Sequence, residues 1–181
     1  MILTVPTPEM AARRLQYVVE NRAHLTDWEP PRTASYYTEE YWRQELTKPV
    51  ADYHTGKSLH LVMLDRERED GPILGVCNFN SIIRGAFQAC YLGYSVDGAH
   101  EGQGLMFEAL SAATGYVFDN LGLHRIMANY IPTNVRSGRL LRKLGLVVEG
   151  YARDYLYIGN AWQDHVLTAL TNSKWGSTQK G

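Results

Sequence analysis

Residues 89–119 carry the pattern that most constrains this chain. A strand-like run, Ala89-Cys90-Tyr91-Leu92-Gly93-Tyr94-Ser95-Val96, leads to the turn Glu101-Gly102-Gln103-Gly104-Leu105-Met106. A helix-like run from Leu105 to Asp119 follows, with Leu105, Ala109, Ala112 and Tyr116 at helical spacing. A glycine turn that opens a helix leaves the first backbone N–H groups of that helix without intrahelical partners. With the positive end of the helix dipole they form a seat for a phosphate-type anion. Taken alone, the turn fits such a seat and a plain tight connection equally well. It lacks the spacing of a dinucleotide fingerprint and the Gly-Lys-Ser/Thr ending of a P-loop. No lysine stands ready for a γ-phosphate, and no nearby carboxylate pair for magnesium.

The flanking segments supply the rest of a domain. Thr7-Pro8-Glu9 opens a helix to about His24, with Leu15, Val18, Val19 and Arg22 along one face. The paired prolines of Asp27-Trp28-Glu29-Pro30-Pro31 force a loop. A second helix is predicted from Ser35 to about Tyr53, then a strand from Ser58 to Leu64. Asp65 to Pro72 is a charged, solvated turn. Ile73–Ile83 and Ala86–Val96 read as a hairpin joined at Arg84-Gly85. Arg125–Ile131 is another strand. Asn134 caps a short helix that carries Leu140, Leu141 and Leu144 and ends at Gly145. Val147–Ile158 and Ala161–Leu170 form a last hairpin around Gly159-Asn160. The polar tail from Thr171 is expected to fray, leaving residues 1–171 as the domain and 172–181 as a flexible tail. This order predicts an α/β single domain on a mixed, mostly antiparallel sheet flanked by helices.

Composition removes several classes of function. The net charge of −1 lacks the basic excess of a nucleic-acid binder. No apolar run approaches the roughly 20 residues of a membrane span, and no basic-then-apolar signal opens the chain. Cys77 and Cys90 both fall in strand-like runs and read as reduced core residues, without a disulfide or metal role. The cytoplasm is the simplest compartment. Monomer and homodimer both stay open.

The strand ending Gly93-Tyr94-Ser95-Val96, the glycine turn, and the run Asn134 to Leu146 together resemble the GNAT superfamily of acetyl-CoA-dependent N-acetyltransferases. Longer strings resemble its ribosomal-protein alanine N-acetyltransferase branch. They include Trp28-Glu29-Pro30, Gly75-Val76-Cys77-Asn78-Phe79, Cys90-Tyr91-Leu92-Gly93-Tyr94-Ser95, His124-Arg125-Ile126-Met127-Ala128-Asn129-Tyr130 and Asp164-His165-Val166-Leu167-Thr168-Ala169-Leu170. The likeness runs from about Arg22 to Thr171. It implies a splayed strand pair that receives acetyl-CoA, whose pyrophosphate sits on the turn. Tyr94, Ser95, Val96, Gly102, Gln103, Gly104, Leu105, Met106, Asn134 and Ser137 are then coenzyme contacts. It implies an acceptor that is the N-terminal alanine of a ribosomal protein, with ribosome association open. The turn departs from the family at Glu101, where Gln or Arg is usual, and Glu101 is expected to point outward. Met106 stands where Gly or Ala is usual, and the first strand, Ile2 to Val5, is short.

Acetyl transfer needs a neutral amine, a stabilised oxyanion and a proton for the departing thiolate. An α-amine, with pKa about 8, sits about 2.4 units below lysine, which saves roughly 3 kcal/mol of deprotonation. An N-terminal acetyltransferase can therefore work with a weak base. Many GNAT enzymes use a tyrosine four residues before the closing glycine; this chain has Leu141 there. Ser137, one turn earlier, resembles the serine of the ribosomal-protein branch, or is a small residue that lets the coenzyme pass. Asn134 is a helix cap, a coenzyme contact, or both. Glu29, in a Trp- and Pro-braced loop, is the candidate for gripping or deprotonating the amine, or is a surface acid. Trp28 and Tyr155 are candidate acceptor contacts, while Tyr157 lines the groove or simply packs. His124 and His165 read as structural. Arg136, Arg139, Arg142 and Lys143 form a solvated face or offer a partner for a ribose phosphate.

Overall fold

The computed structural model describes residues 1–68 and 70–176. Glu69 of the charged turn and residues 177–181 of the tail lie outside them. Seven strands among the described residues form one open sheet: β1 (Ile2–Thr4), β2 (Leu59–Leu64), β3 (Gly75–Ile83), β4 (Ala89–Val96), β5 (Arg125–Tyr130), β6 (Val147–Ile158) and β7 (Ala161–Thr171). Their order is β1-β2-β3-β4-β5-β7-β6. Every neighbouring pair is antiparallel except β4 with β5. The helices are α1 (Ala11–Glu20), α2 (Arg22–Leu25), α3 (Glu39–Glu45), α4 (Lys48–His54), α5 (Leu105–Asp119) and α6 (Val135–Lys143).

Helices cover both sheet faces because burial alternates along the central strands. Leu59, Leu61, Met63, Cys77 and Phe79 point to one side and meet Ala109, Leu110, Ala113 and Val117 of α5 and Leu141 of α6. Val62, Leu64 and Val76 point to the other and meet Tyr17 and Val18 of α1 and Trp42 of α3.

Two helical expectations need correction. The predicted helix from Ser35 to Tyr53 is broken into a 3-10 turn, α3 and α4. Thr38 is extended and caps α3, its side chain accepting the Tyr41 N–H at 3.3 Å. Pro49 marks the first turn of α4. The buried face of α1 is Ala11, Arg14, Tyr17 and Val18, rotated from the expected Leu15–Val19 face, and Val19 is half exposed. The aromatic ring of Tyr17 wins the core position over Val19.

At the last hairpin Gly159 and Asn160 both have positive φ, +57° and +62°, the two-residue turn that matches strand twist. Strand β7 runs through Thr171, and Asn172 and the turn residues 173–176 are held to the body. The Asn172 N–H donates to His124 O at 2.8 Å and the Trp175 indole to Gly122 O at 2.9 Å.

Candidate active site

The parallel pair β4–β5 creates the site. Its ladder holds only at Ala89–Arg125, Cys90–Ile126 and Tyr91–Met127, after which the strands part. Gln88 O accepts from Arg125 N on the β5 side, and Asp97 N–H donates to Leu74 O on the β3 side. Backbone groups alternate along a strand, so the N–H groups of Tyr94 and Val96 point into the gap. The expected splayed pair is therefore present, with donors aimed at its opening.

The gap widens into a cleft of about 1640 Å³. Gly102, Gly104, Leu105 and Met106 line it, as do Tyr94, Ser95, Val96, Asn134, Ser137, Trp28, Glu29 and Tyr155. One predicted contact, Gln103, is not on its wall; its side chain turns back to Ala99 O at 3.3 Å.

Gly104 caps α5 with φ +82° and no side-chain hydrogen bond. Gly102 is also left-handed, at φ +73°. Both conformations are natural for glycine and strained for other residues. Together they leave the first-turn amides of α5 open to the cleft, which is the anion seat that the turn permits. Arg136, Arg139 and Lys143 of α6 line the same end; Arg142 does not.

Glu101 does not point out to solvent as expected. Its carboxylate ion-pairs with Arg136 of α6, and lies 3.4 Å from His24 Nε2 of α2. Arg136 and His24 hold it from opposite sides, and the Arg136 cation offsets its repulsion for an anion.

Asn134 is the cap of α6: its Oδ1 accepts the Ser137 N–H at 3.0 Å. Ser137 Oγ lies 2.7 Å from the Tyr94 hydroxyl, a bond that joins α6 to β4 across the gap. Burial pushes the Tyr94 phenol up to about 12, partly offset by the Ser137 hydrogen bond. Tyr17, bonded to Ser95 Oγ at 2.9 Å, is also raised to about 12 by burial. Cys77 and Cys90 are fully buried and pushed up to about 12 by desolvation, far from the thiolate form a nucleophile needs.

At the other end, Glu29 pairs with Arg32 at 3.1 Å, and that guanidinium lies 4.5 Å from the Tyr36 ring centre. Glu29 and Arg32 also line a second cavity of about 260 Å³ behind the loop. The Tyr155 hydroxyl accepts from Asn129 Nδ2 at 3.1 Å, and its ring packs on the buried His165 at 5.2 Å. Asp164 holds a bulge in β6 just before Tyr155, accepting from the Asp154 N–H at 2.9 Å and the Tyr151 hydroxyl at 2.6 Å. Tyr157 meets Trp162 edge-to-face and does not line the cleft.

Sequence reasoning missed four features. The Tyr94–Ser137 bond spans 43 residues and leaves no local signal. Asn129 was legible as a strand residue only. The pair His100 Nδ1–Asp97 Oδ2 at 2.5 Å, whose histidine lies on the cleft wall beside the turn, had an i,i+3 signal in the sequence. Arg14, on the cleft wall, was hidden by the misjudged face of α1.

The family model for the acetyltransferase (GNAT) domain matches residues 1–147. The chain belongs to the GNAT acetyltransferase family. GNAT enzymes use acetyl-CoA, and this acetyltransferase has the open amides, flanking cations and splayed strands that suit its pyrophosphate and extended arm. The chain is 46% identical over 165 residues to the ribosomal protein uS5-alanine N-acetyltransferase of Escherichia coli, covering 91% of this chain and 84% of that one. The ribosomal-protein-S5-alanine acetyltransferase of Vibrio fischeri superposes with a TM-score of 0.91 at 36% identity, over 96% and 93% of the two chains. Mycobacterium smegmatis RimJ, solved with CoA-disulfide, gives 0.85 at 26% identity, over 99% and 83%.

Proposed function

We propose that this GNAT enzyme acetylates the α-amine of a protein N-terminus, and that its acceptor is the N-terminal alanine of a ribosomal protein. The observation that carries this reading is the 46% identity, spread over 91% of the chain, to an enzyme named for that reaction on uS5. The cleft supports it. An α-amine is easily deprotonated, so a strong base is not required.

Acetyl-CoA supplies an activated thioester. The α5 amides of the glycine turn hold its pyrophosphate. The gap-facing N–H groups of Tyr94 and Val96 are placed to receive the carbonyl oxygen as charge builds on it. Ser137 Oγ gives a hydrogen bond to the departing sulfur and relays to it the proton that the attacking amine gives up, so the serine ends the step as a hydroxyl. Tyr94 is the donor within the Tyr94–Ser137 bond, because this leaves the serine hydrogen free for sulfur. Glu29 grips the amine, sharing its charge with Arg32. With both cysteines buried and protonated, the acetyl group moves directly to the amine in a ternary complex.

Mass spectrometry of ribosomal-protein N-termini from a deletion strain tests the acceptor. Loss of acetyl from one alanine N-terminus is expected. An unchanged set of N-termini would contradict the acceptor, and a small-molecule acceptor would replace it.

A further inference from the structure

Arg14 is a charged group on the cleft wall that the mechanism above leaves unused. Only 9% of its surface is exposed. Its guanidinium carbon stands 4.4 Å from the centre of the Trp42 ring and 5.0 Å from that of Tyr17. These rings attract the cation but supply no conventional acceptor oxygen in the plane of its N–H groups. Nη1 is shut away without a hydrogen-bond partner. Among the described residues no carboxylate forms an ion pair with it. Its neighbour Arg32, by contrast, is paired with Glu29. Burial pushes the Arg14 guanidinium below its ordinary pKa, and the phenols of Tyr36 and Tyr17 and the Glu29 carboxylate act against that shift.

A guanidinium carries five N–H donors and no acceptor. A buried guanidinium without an acceptor is costly to keep, and because Nη1 is closed off, Nε and Nη2 are the donors left for a ligand oxygen. Arg14 borders the same cleft as Trp28, Glu29 and Arg32, at the acceptor end.

We infer that Arg14 donates to the first backbone carbonyl of the acceptor while Glu29 holds the amine of the same residue. An N-terminal residue carries its amine and its carbonyl on one α-carbon; a lysine side chain has no carbonyl there. Arg14 thus selects α-amines over lysine side chains. This rests on the proposed peptide acceptor.

The test uses two small acceptors, alaninamide and isopropylamine, in which a methyl group replaces the carboxamide. Their kcat/KM values, compared as neutral amines, are measured for the wild type, Arg14→Gln and Arg14→Lys. Calorimetry with acetyl-CoA checks that each variant is folded. The wild type should favour alaninamide, and Arg14→Gln should shrink that preference at least tenfold, through the alaninamide KM. Arg14→Lys, with one compact donor group, should shrink it less. Equal losses for both amines would reduce Arg14 to a packing role and overturn the inference. So would a wild type without the preference, which decides the matter even if Arg14→Gln fails to fold. If neither amine nor any alanine-starting peptide is acetylated, the proposed acceptor fails and this inference falls with it.

Discussion

The coenzyme end of the cleft is made mainly of backbone, and the acceptor end of side chains. Gly102 and Gly104, the first-turn amides of α5 and the parted strands β4 and β5 come from one stretch of chain plus its sheet neighbour. Arg14, Trp28, Glu29, Arg32, Asn129 and Tyr155 come from α1, the loop after α2, β5 and β6. The first end recognises an anion through conformation, so it tolerates a residue as unsuited as Glu101. The second recognises its ligand through particular groups, of which Glu29 and Tyr155 are held by Arg32 and Asn129. Damage at the two ends should therefore show up in the kinetics of different substrates.

The largest effect on the coenzyme side is expected from Gly104→Val. A branched side chain at φ +82° should cost about 1–3 kcal/mol of stability. It should also raise the acetyl-CoA KM at least tenfold, with the peptide KM little changed, as two-substrate initial rates would show. Between the two ends, Ser137→Ala should lower kcat roughly 10–100-fold while coenzyme binding persists. Tyr94→Phe should lower it about fivefold, the value of one hydrogen bond.

The pH profile sharpens that pair. The rate should rise with deprotonation of the acceptor amine, near pH 8. Tyr94 keeps its proton to about 12, so it adds no falling limb below pH 10. Above pH 10 the unfolded tyrosines ionise while Tyr17 and Tyr94 stay protonated in the fold. Their contribution to stability is full below pH 10 and is lost as pH rises towards 12. A falling limb near pH 9 would contradict the assignment of Tyr94.

The smallest effect is expected from Glu101→Gln. It removes a negative charge from the turn and frees Arg136, so acetyl-CoA should bind about two- to fivefold tighter. Weaker binding by calorimetry would mean that the His24–Glu101–Arg136 bridge shapes the seat instead.

The same contrast explains what could be read from the sequence. The strand, glycine turn and helix of residues 89–119 are local patterns, and so were legible with their boundaries. So were the Asn134 cap and the Gly159-Asn160 hairpin. The helix expected from Ser35 to Tyr53 failed because Thr38 and Pro49 act as helix starts inside an apolar pattern. Glu101 was misjudged because its partners lie 35 residues ahead and 77 behind in sequence. Arg14 was missed because a charge on a buried helical face becomes visible only once that face is correctly chosen. Side-chain pairs across the sheet, such as Tyr94 with Ser137, carry no local trace at all.

The separation of the two ends is tested most directly by two-substrate kinetics of Glu29→Gln with acetyl-CoA and an alanine-starting peptide. The peptide KM should rise about tenfold, as expected for losing a charged hydrogen bond, with the acetyl-CoA KM unchanged. A rise in the acetyl-CoA KM with the peptide KM unmoved would contradict the account, because the loop carrying Glu29 would then belong to the coenzyme.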